Sequence, residues 1–136
     1  MKKLLAFVLI LCCLSCESND SPDFCDIVNP TTVNLVNPQF INLLSPAGWA
    51  YANGGPRGLI LYNTGTSFKA FSRECPQRNG CTQRLEVKND IKMVCPCDES
   101  EYSILDGSPQ TEGVKVSVCE FKVTPGGSEV LNISNF

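Results

Sequence analysis

The chain has 136 residues, enough for one domain but not for two. An apolar content of 43% is typical of a protein with a hydrophobic core and excludes a wholly disordered chain. The formal net charge is −3; without the two N-terminal lysines, 9 basic residues face 14 acidic ones, a net charge of −5. No basic stripe is present, so nucleic acid is not an expected partner.

The N-terminus has the pattern of an export signal. Two lysines precede the apolar run Leu4–Leu14, which is shorter than the roughly 20 residues of a membrane-spanning helix. The run ends at Ser15-Cys16 and resembles a bacterial lipobox, in which the cysteine is acylated and becomes the first mature residue. Cys13 replaces the usual aliphatic residue of that motif. We predict a lipoprotein signal peptide over residues 1–15 and a lipid anchor at Cys16; a plain signal peptide cut nearby is the alternative.

The residues after the anchor predict the organisation of the mature chain. Segment 16–30 begins with polar and acidic residues and is predicted to be a tether, and 31–136 is predicted to be the folded domain. Since no second long apolar run follows, the lipid is the only predicted contact with a membrane. The predicted location is the bacterial cell envelope, as an outer-membrane lipoprotein that is periplasmic or surface-exposed.

The body of the chain predicts short strands. Segment 26–38 is rich in Asn, Pro and Thr and is expected to cross the surface in extended form. From Phe40 onward, no sustained helical periodicity is present. A two-residue turn is predicted at Asn89-Asp90, because Asn and Asp tolerate the positive φ that such a turn requires. The predicted strands are Leu59–Tyr62, Phe68–Phe71, Leu85–Lys88, Ile91–Val94, Val114–Val118, Phe121–Val123 and Val130–Ile133. Such spacing is typical of an all-β barrel or sandwich.

The cysteine count is informative for an exported chain. Of nine cysteines, Cys12 and Cys13 would leave with the signal peptide and Cys16 would carry the lipid. Six remain: Cys25, Cys75, Cys81, Cys95, Cys97 and Cys119. An even number in an oxidising compartment favours disulfides, although six cysteines allow 15 different pairings.

Two cysteine-bearing segments flank the predicted hairpin. The first is Cys75-Pro76-Gln77-Arg78-Asn79-Gly80-Cys81, and the second begins Cys95-Pro96-Cys97-Asp98. This arrangement resembles the Rieske iron–sulfur family, in which one loop supplies Cys-x-His and the other Cys-x-x-His. In that family two cysteines bind one iron of a 2Fe-2S cluster and two histidines bind the other.

Further residues extend the resemblance. Cys81 and Cys97 match the second cysteines that form a disulfide between the loops of respiratory Rieske domains. Ser100 and Tyr102 match residues that hydrogen-bond to the cluster sulfurs, and Asp106–Pro109 resembles the proline loop over the cluster. The resemblance implies an all-β Rieske-like domain: a small antiparallel barrel or sandwich with an inserted cluster-type loop subdomain.

The chain departs from the family at the ligands themselves. Gln77 and Asp98 occupy the two histidine positions, and the sequence contains no histidine. Glu99 replaces a glycine that usually follows the second histidine. An amide is a poor iron ligand and one carboxylate does not replace two imidazoles, so no metal or cofactor is expected. If a 2Fe-2S cluster were present, Cys75 and Cys95 would remain as its ligands.

The resemblance also implies a set of disulfides. It implies a Cys81–Cys97 bond, which would contribute roughly 3 kcal/mol in the chain-entropy model. Without iron, Cys75 and Cys95 would face each other across the site and are expected to pair. Cys25 and Cys119 remain as a third pair, between the N-terminal segment and a late strand.

Other interpretations of these residues are weaker. Zinc or a four-thiolate cluster is disfavoured because Cys95-x-Cys97 is tighter, and Cys75-x₅-Cys81 wider, than the usual Cys-x₂₋₄-Cys. Asp98 and Glu99 as an acid–base pair, or Ser100 as a nucleophile, would lack a histidine partner. Tyr102 is expected to be a sheet residue rather than a redox relay. Trp49 and Tyr51 are expected to be core residues rather than an exposed binding edge.

The sequence therefore predicts a degenerate Rieske-like lipoprotein. It would not be an enzyme, and it would have a structural or binding role with an unidentified protein partner. The alternative is an electron-transfer protein with an atypical 2Fe-2S cluster, and a thiol–disulfide redox role for Cys75 and Cys95 is a third possibility.

Overall fold

The computed structural model of the protein describes residues 25, 29–77 and 80–136. The predicted signal peptide, the predicted anchor Cys16 and most of the predicted tether lie outside these residues. Within the described part of the chain, no helix combines the length and apolar character needed to cross a bilayer.

The described residues form nine strands and one 3₁₀ helix, Pro38–Leu44. In chain order the strands are β1 (Thr31–Asn34), β2 (Trp49–Ala52), β3 (Leu59–Asn63), β4 (Phe68–Ser72), β5 (Glu86–Lys88), β6 (Lys92–Val94), β7 (Glu101–Ser103), β8 (Glu120–Pro125) and β9 (Val130–Ser134).

The strands form two antiparallel sheets. The larger sheet has the order β1-β9-β8-β4-β3-β2 and curls into a half-barrel, and the smaller has the order β5-β6-β7. Because β4 pairs directly with β8, the smaller sheet is an insertion between two neighbouring strands of the larger one. The predicted all-β class with an inserted loop subdomain is confirmed.

Strand β3 is buried on both faces and separates two hydrophobic cores. Successive side chains of a strand point to opposite sides of the sheet. Leu59 and Leu61 therefore pack in one core, and Ile60 and Tyr62 pack in the other. Strand β4 repeats this division, with Ala70 in the first core and Phe71 in the second.

The first core fills the half-barrel, and the second lies between the two sheets. The first consists mainly of Val33, Leu35, Phe40, Leu43, Ala50, Ala52, Leu59, Leu61, Ala70, Phe121, Leu131 and Ile133. The second consists of Ile60, Tyr62, Phe71, Cys75, Leu85, Met93, Cys95, Tyr102, Ile104 and Val118. Two cysteines of the sequence motif thus belong to the second core.

The sequence analysis missed the 3₁₀ helix. Phe40 and Leu43 are its buried residues, and they are three residues apart, which is one turn of a 3₁₀ helix. Two apolar positions in a seven-residue segment are too few to show a helical period. The segment before the 3₁₀ helix, predicted to cross the surface in extended form, contains strand β1. This strand pairs with β9 and buries Val33.

The predicted two-residue hairpin turn is wrong in length. Asn89 and Asp90 both have positive φ, at 54° and 60°, as predicted. Lys88 pairs with Lys92, however, so the turn has three residues and includes Ile91, whose side chain is 62% exposed. Strand β6 therefore begins at Lys92, one residue later than the predicted start at Ile91.

The predicted strand Val114–Val118 is also wrong. This segment joins the smaller sheet to β8 and forms no strand. It does not pair with β8, whose two neighbours are β4 and β9. Val118 nevertheless is buried in the second core, and its amide donates to the Gly107 carbonyl at 2.9 Å. Alternation in a sequence reports burial, but a strand also needs a hydrogen-bonding neighbour.

Candidate functional site

Two loops at one end of the inserted sheet bring the motif residues together. The first loop joins β4 to β5, and the second joins β6 to β7. The first loop is closed at its base by a 2.7 Å hydrogen bond from the Leu85 amide to the Arg73 carbonyl. The second loop is a tight turn in which the amide of Glu99 donates to the Cys95 carbonyl at 2.9 Å.

Two disulfides join these loops. Cys75–Cys95 is buried, with Cα atoms 5.5 Å apart. Cys81–Cys97 lies closer to the surface, with Cα atoms 5.9 Å apart. The Cys81 and Cys95 Sγ atoms are 3.8 Å apart, so the two bonds are in contact. The four cysteines of the motif thus form one sulfur cluster whose buried half belongs to the second core.

A third disulfide lies in the first core. Cys25 and Cys119, 94 residues apart, are bonded with Cα atoms 5.6 Å apart. In the chain-entropy model a loop of this length corresponds to about 4–5 kcal/mol of stabilisation. The bond attaches the segment before β1 to the start of β8. The structure therefore joins the three cysteine pairs that the resemblance implied.

A chain of three polar side chains lies beside the second loop. Asp98 Oδ1 accepts hydrogen bonds from the Ser100 amide at 3.0 Å and from Ser100 Oγ at 2.7 Å. Ser100 Oγ and the Tyr102 hydroxyl are 3.1 Å apart. Among the described residues, no hydrogen bond joins either hydroxyl to a cysteine sulfur, and the hydrogen bonds to cluster sulfurs that the resemblance implied stay a prediction. Asp98 thus stabilises the turn by bonding the backbone two residues on.

Burial controls the ionisation of Tyr102. Its side chain is fully buried in the second core, and this burial raises the pKa of the phenol. The hydrogen bond with Ser100 acts in the opposite direction, and the charge of Asp98 adds to the increase. Tyr102 therefore stays neutral at physiological pH and acts as a core residue with a hydrogen-bonded hydroxyl.

Glu99 adopts a backbone conformation that favours glycine. Its φ is 59°, in the left-handed region, which costs a residue with a side chain about 1–2 kcal/mol. Its side chain is exposed, and its amide closes the turn onto Cys95. The tight turn of the second loop is thus retained although the residue that best suits it is absent.

The loop Asp106–Pro109 packs beside the same core. The hydrogen bonds from the Ser108 hydroxyl at 2.7 Å and amide at 3.1 Å lower the pKa of Asp106. Gly107 has a φ of 73°, and a Cβ at this position would lie 3.1 Å from both the Phe71 ring and the Val118 carbonyl. A glycine is needed there because the loop passes directly over the second core.

The donor set does not fit a Rieske cluster. The Sγ atoms of Cys75, Cys81 and Cys95 lie within 4.8 Å of one another, but Cys75 and Cys95 are bonded together and offer no thiolate. Gln77 is half-buried in the first loop and Asp98 is exposed and bonded to its own turn. With no imidazole in the sequence, the second iron of such a cluster would lack its nitrogen ligands.

Trp49 and Tyr51 connect the larger sheet to the inserted hairpin. Their rings meet edge to face at 5.0 Å. Trp49 Nε1 donates to Asp90 Oδ1 at 2.8 Å, and the Tyr51 hydroxyl accepts from the Val87 amide at 3.0 Å. Trp49 is half-buried against the second core, whereas Tyr51 is 36% exposed and faces a cavity.

Sequence reasoning did not single out Arg57, Arg73 and Arg84, which line that cavity beside the first loop. A signal was present: every arginine of the chain lies between residues 57 and 84. The three residues span 27 positions of the sequence, from Arg57 to Arg84. They come together only because β3, β4 and the first loop are neighbours.

Comparison with known proteins identifies the fold. No family model matches the chain, and no curated protein matches it. Among solved structures, the ferredoxin of carbazole 1,9a-dioxygenase from Nocardioides aromaticivorans IC177 is similar, with a TM-score of 0.50 and 13% identity over 79% of this chain and 99% of that one. A complex of reduced oxygenase and oxidized ferredoxin in carbazole 1,9a-dioxygenase also matches, with a TM-score of 0.46 and 18% identity over 66% of this chain and 82% of that one.

These neighbours are Rieske-type ferredoxins, and the chain has a Rieske-like fold. At this level of identity the likeness defines the architecture alone.

Replacing Glu99 with glycine is expected to stabilise the protein. Glu99→Gly should raise the free energy of unfolding by about 0.5–1 kcal/mol, since the relieved backbone strain exceeds the extra entropy that glycine loses on folding. Chemical denaturation with the disulfides intact measures this change. Glu112→Gly is the control: Glu112 is exposed and is not among the residues with positive φ, so no gain is expected there. A loss of stability in Glu99→Gly would contradict the strain argument.

Removing the sulfur of Cys97 should rearrange the buried disulfide. In Cys97→Ser, the freed Cys81 thiolate is 3.8 Å from the Cys95 sulfur and can attack it. The Cys81–Cys95 bond then forms, the Cys75–Cys95 bond breaks, and Cys75 is released as a thiolate. Alkylation above pH 8.5, roughly the ordinary thiol pKa, followed by non-reducing peptide mapping should find label on Cys75.

The double variant Cys81→Ser with Cys97→Ser is the matched control for this exchange. It removes the attacking thiol and should retain Cys75–Cys95 without label. Label confined to Cys81 in the single variant would show that the two sulfur pairs do not exchange.

Proposed function

We propose that this chain is a lipoprotein of the bacterial envelope in which disulfides take the place of a Rieske cluster. It serves a structural or binding role with a protein partner and is not an enzyme. The single observation that carries the proposal is the buried Cys75–Cys95 bond. Both cysteines stand at the positions that would bind the cluster. Because their sulfurs are bonded to each other, neither offers a thiolate to iron.

The composition supports the same conclusion. The two imidazole positions hold Gln77 and Asp98, and no histidine occurs elsewhere in the 136 residues. Asp98 is engaged with Ser100 in the turn of the second loop, which is a role independent of metal. A cluster and a pair of disulfides can each cross-link the two loops, so the loops stay joined when the histidine ligands of the cluster are absent.

The surroundings of Ser100 and Tyr102 argue against catalysis by these groups. Ser100 is 2% exposed and lies between Asp98 and Tyr102, so its hydroxyl faces no solvent. A nucleophilic serine needs an adjacent base and access to substrate. Tyr102 is fully buried and neutral. These side chains stabilise the second core.

One observation favours the alternative of an atypical 2Fe-2S electron-transfer protein. The Sγ atoms of Cys75, Cys81 and Cys95 converge within 4.8 Å, so reduction of both loop disulfides would place several thiols at one point. Thiolates bind iron–sulfur clusters. A reduced form could therefore hold a thiolate-ligated centre, in contrast to the histidine-ligated one of the Rieske family.

Iron and thiol content separate the two functions. The protein is purified anaerobically from a bacterial host that exports it, and iron, visible absorption and alkylation under denaturing conditions are measured. We expect a colourless, iron-free protein with no alkylated cysteine among Cys25, Cys75, Cys81, Cys95, Cys97 and Cys119. A Cys75→Ser variant, which must leave at least one thiol unpaired, verifies the thiol assay. About two irons per chain would overturn the proposal and establish the 2Fe-2S alternative.

The proposed anchor is tested by fractionation. Cys16→Ser should move the protein from the membrane to the supernatant, because the acyl chains on Cys16 are the only predicted attachment. Cys12→Ser, which changes a residue of the predicted signal peptide just before the lipobox-like motif, should leave the protein membrane-bound with the mass of a lipidated chain. Membrane attachment that persists in Cys16→Ser would contradict the lipoprotein assignment.

A further inference from the structure

Three of the four arginines of this acidic chain lie together. Arg57, Arg73 and Arg84 line a cavity of about 280 Å³. Its other walls are Gln39, Tyr51, Ala52 and the loop Asn53–Gly58 between β2 and β3. Among the described residues that line it, none is acidic. At the roughly 30 Å³ that a water molecule occupies in the liquid, the cavity has room for about nine waters.

Two of the guanidinium groups are held in position by the protein. Arg57 Nη1 donates to the Thr82 carbonyl. Arg73 Nε donates to the Leu85 carbonyl at 3.1 Å, and its guanidinium carbon lies 3.7 Å from the centre of the Tyr51 ring. Stacking on an aromatic face orients a guanidinium and leaves its in-plane donors available.

The third guanidinium has few restraints. Arg84 is exposed, and its backbone forms a bridge with Glu74. Within the described part of the chain, its guanidinium makes no hydrogen bond or ion pair. An exposed Arg84 side chain beside two fixed guanidinium groups can contact a ligand placed between them.

The cavity carries an excess of positive charge. Burial lowers the pKa of Arg73, and the nearby charge of Arg84 acts in the same direction. The acidic neighbours are Glu74, whose carboxylate is 3.9 Å from Arg57 Nε, and Glu86, which acts on Arg73. Among the described residues, three guanidinium groups and two carboxylates leave a net charge of +1, and a bound anion would relieve the repulsion between the guanidinium groups.

We propose that this cavity binds a small oxyanion ligand, a phosphate or a carboxylate of comparable size. Planar guanidinium groups form paired hydrogen bonds with such groups, and these charge-assisted bonds are about twice as strong as neutral ones. None of the described cysteines lines the cavity, so the site is separate from the sulfur cluster. It would give the domain a ligand-binding role of its own.

The probe is pyrophosphate, and its binding is measured by NMR on the isotope-labelled protein at constant ionic strength. Saturable shifts are expected in the amides of Gly54–Gly58 and in the side-chain signals of Arg73 and Arg84. Arg84→Gln should weaken binding by about tenfold or more, the effect of losing a charge-assisted hydrogen bond. Arg84 is the residue to change because its side chain is exposed and its guanidinium makes no hydrogen bond to another described residue, and Arg84→Lys should recover part of the affinity.

Lys122→Gln is the matched control, because it removes one positive charge from an exposed position on β8. It should change affinity by less than about twofold, as expected for a screened surface charge. Citrate tested in the same way separates the ligand classes: tighter binding of pyrophosphate supports a phosphate ligand, and tighter binding of citrate supports a carboxylate ligand. The proposal is overturned if shifts do not saturate, or if they are equal in Arg84→Gln and Lys122→Gln.

Discussion

The buried bond between Cys75 and Cys95 is the constraint on which the inserted subdomain depends. Strands β5, β6 and β7 have only three residues each, too few to be stable alone. They remain folded because Met93 and Tyr102 pack against β3 and β4 and because the two loops at their end are covalently joined. The bond is itself part of the second core, so it contributes both a cross-link and buried apolar surface.

Under the proposed function, a Rieske-like fold persists with a different chemistry at its loop tips. The fold requires that the two loops be held together, and sulfur–sulfur bonds meet that requirement as a metal centre would. The same loop that supplies Cys75 and Cys81 also supplies Arg73 and Arg84. Closing the loops therefore also fixes one wall of the arginine cavity, and the two features share a single structural support.

Much of the fold was predictable, and the failures have a common cause. Strands β3, β4, β8 and β9 follow apolar patterns, and the turn at Asn89-Asp90 has the predicted positive φ. The segment Val114–Val118 has the same alternation but no neighbouring strand, and Ile91 lies in the turn rather than in β6. Local pattern reports which residues can be buried, whereas register and pairing depend on what lies beside them.

The candidate site divides in the same way. The sequence by itself determined the available side-chain chemistry, because composition limits which bonds can form: the predicted mature chain has six cysteines besides Cys16 and no histidine, and Gln77 and Asp98 stand at the ligand positions. Only the tertiary structure decided that the Cys81 and Cys95 sulfurs lie 3.8 Å apart and that three distant arginines share a cavity. These are contacts between segments far apart in the chain, and their distances are set by how the two sheets pack.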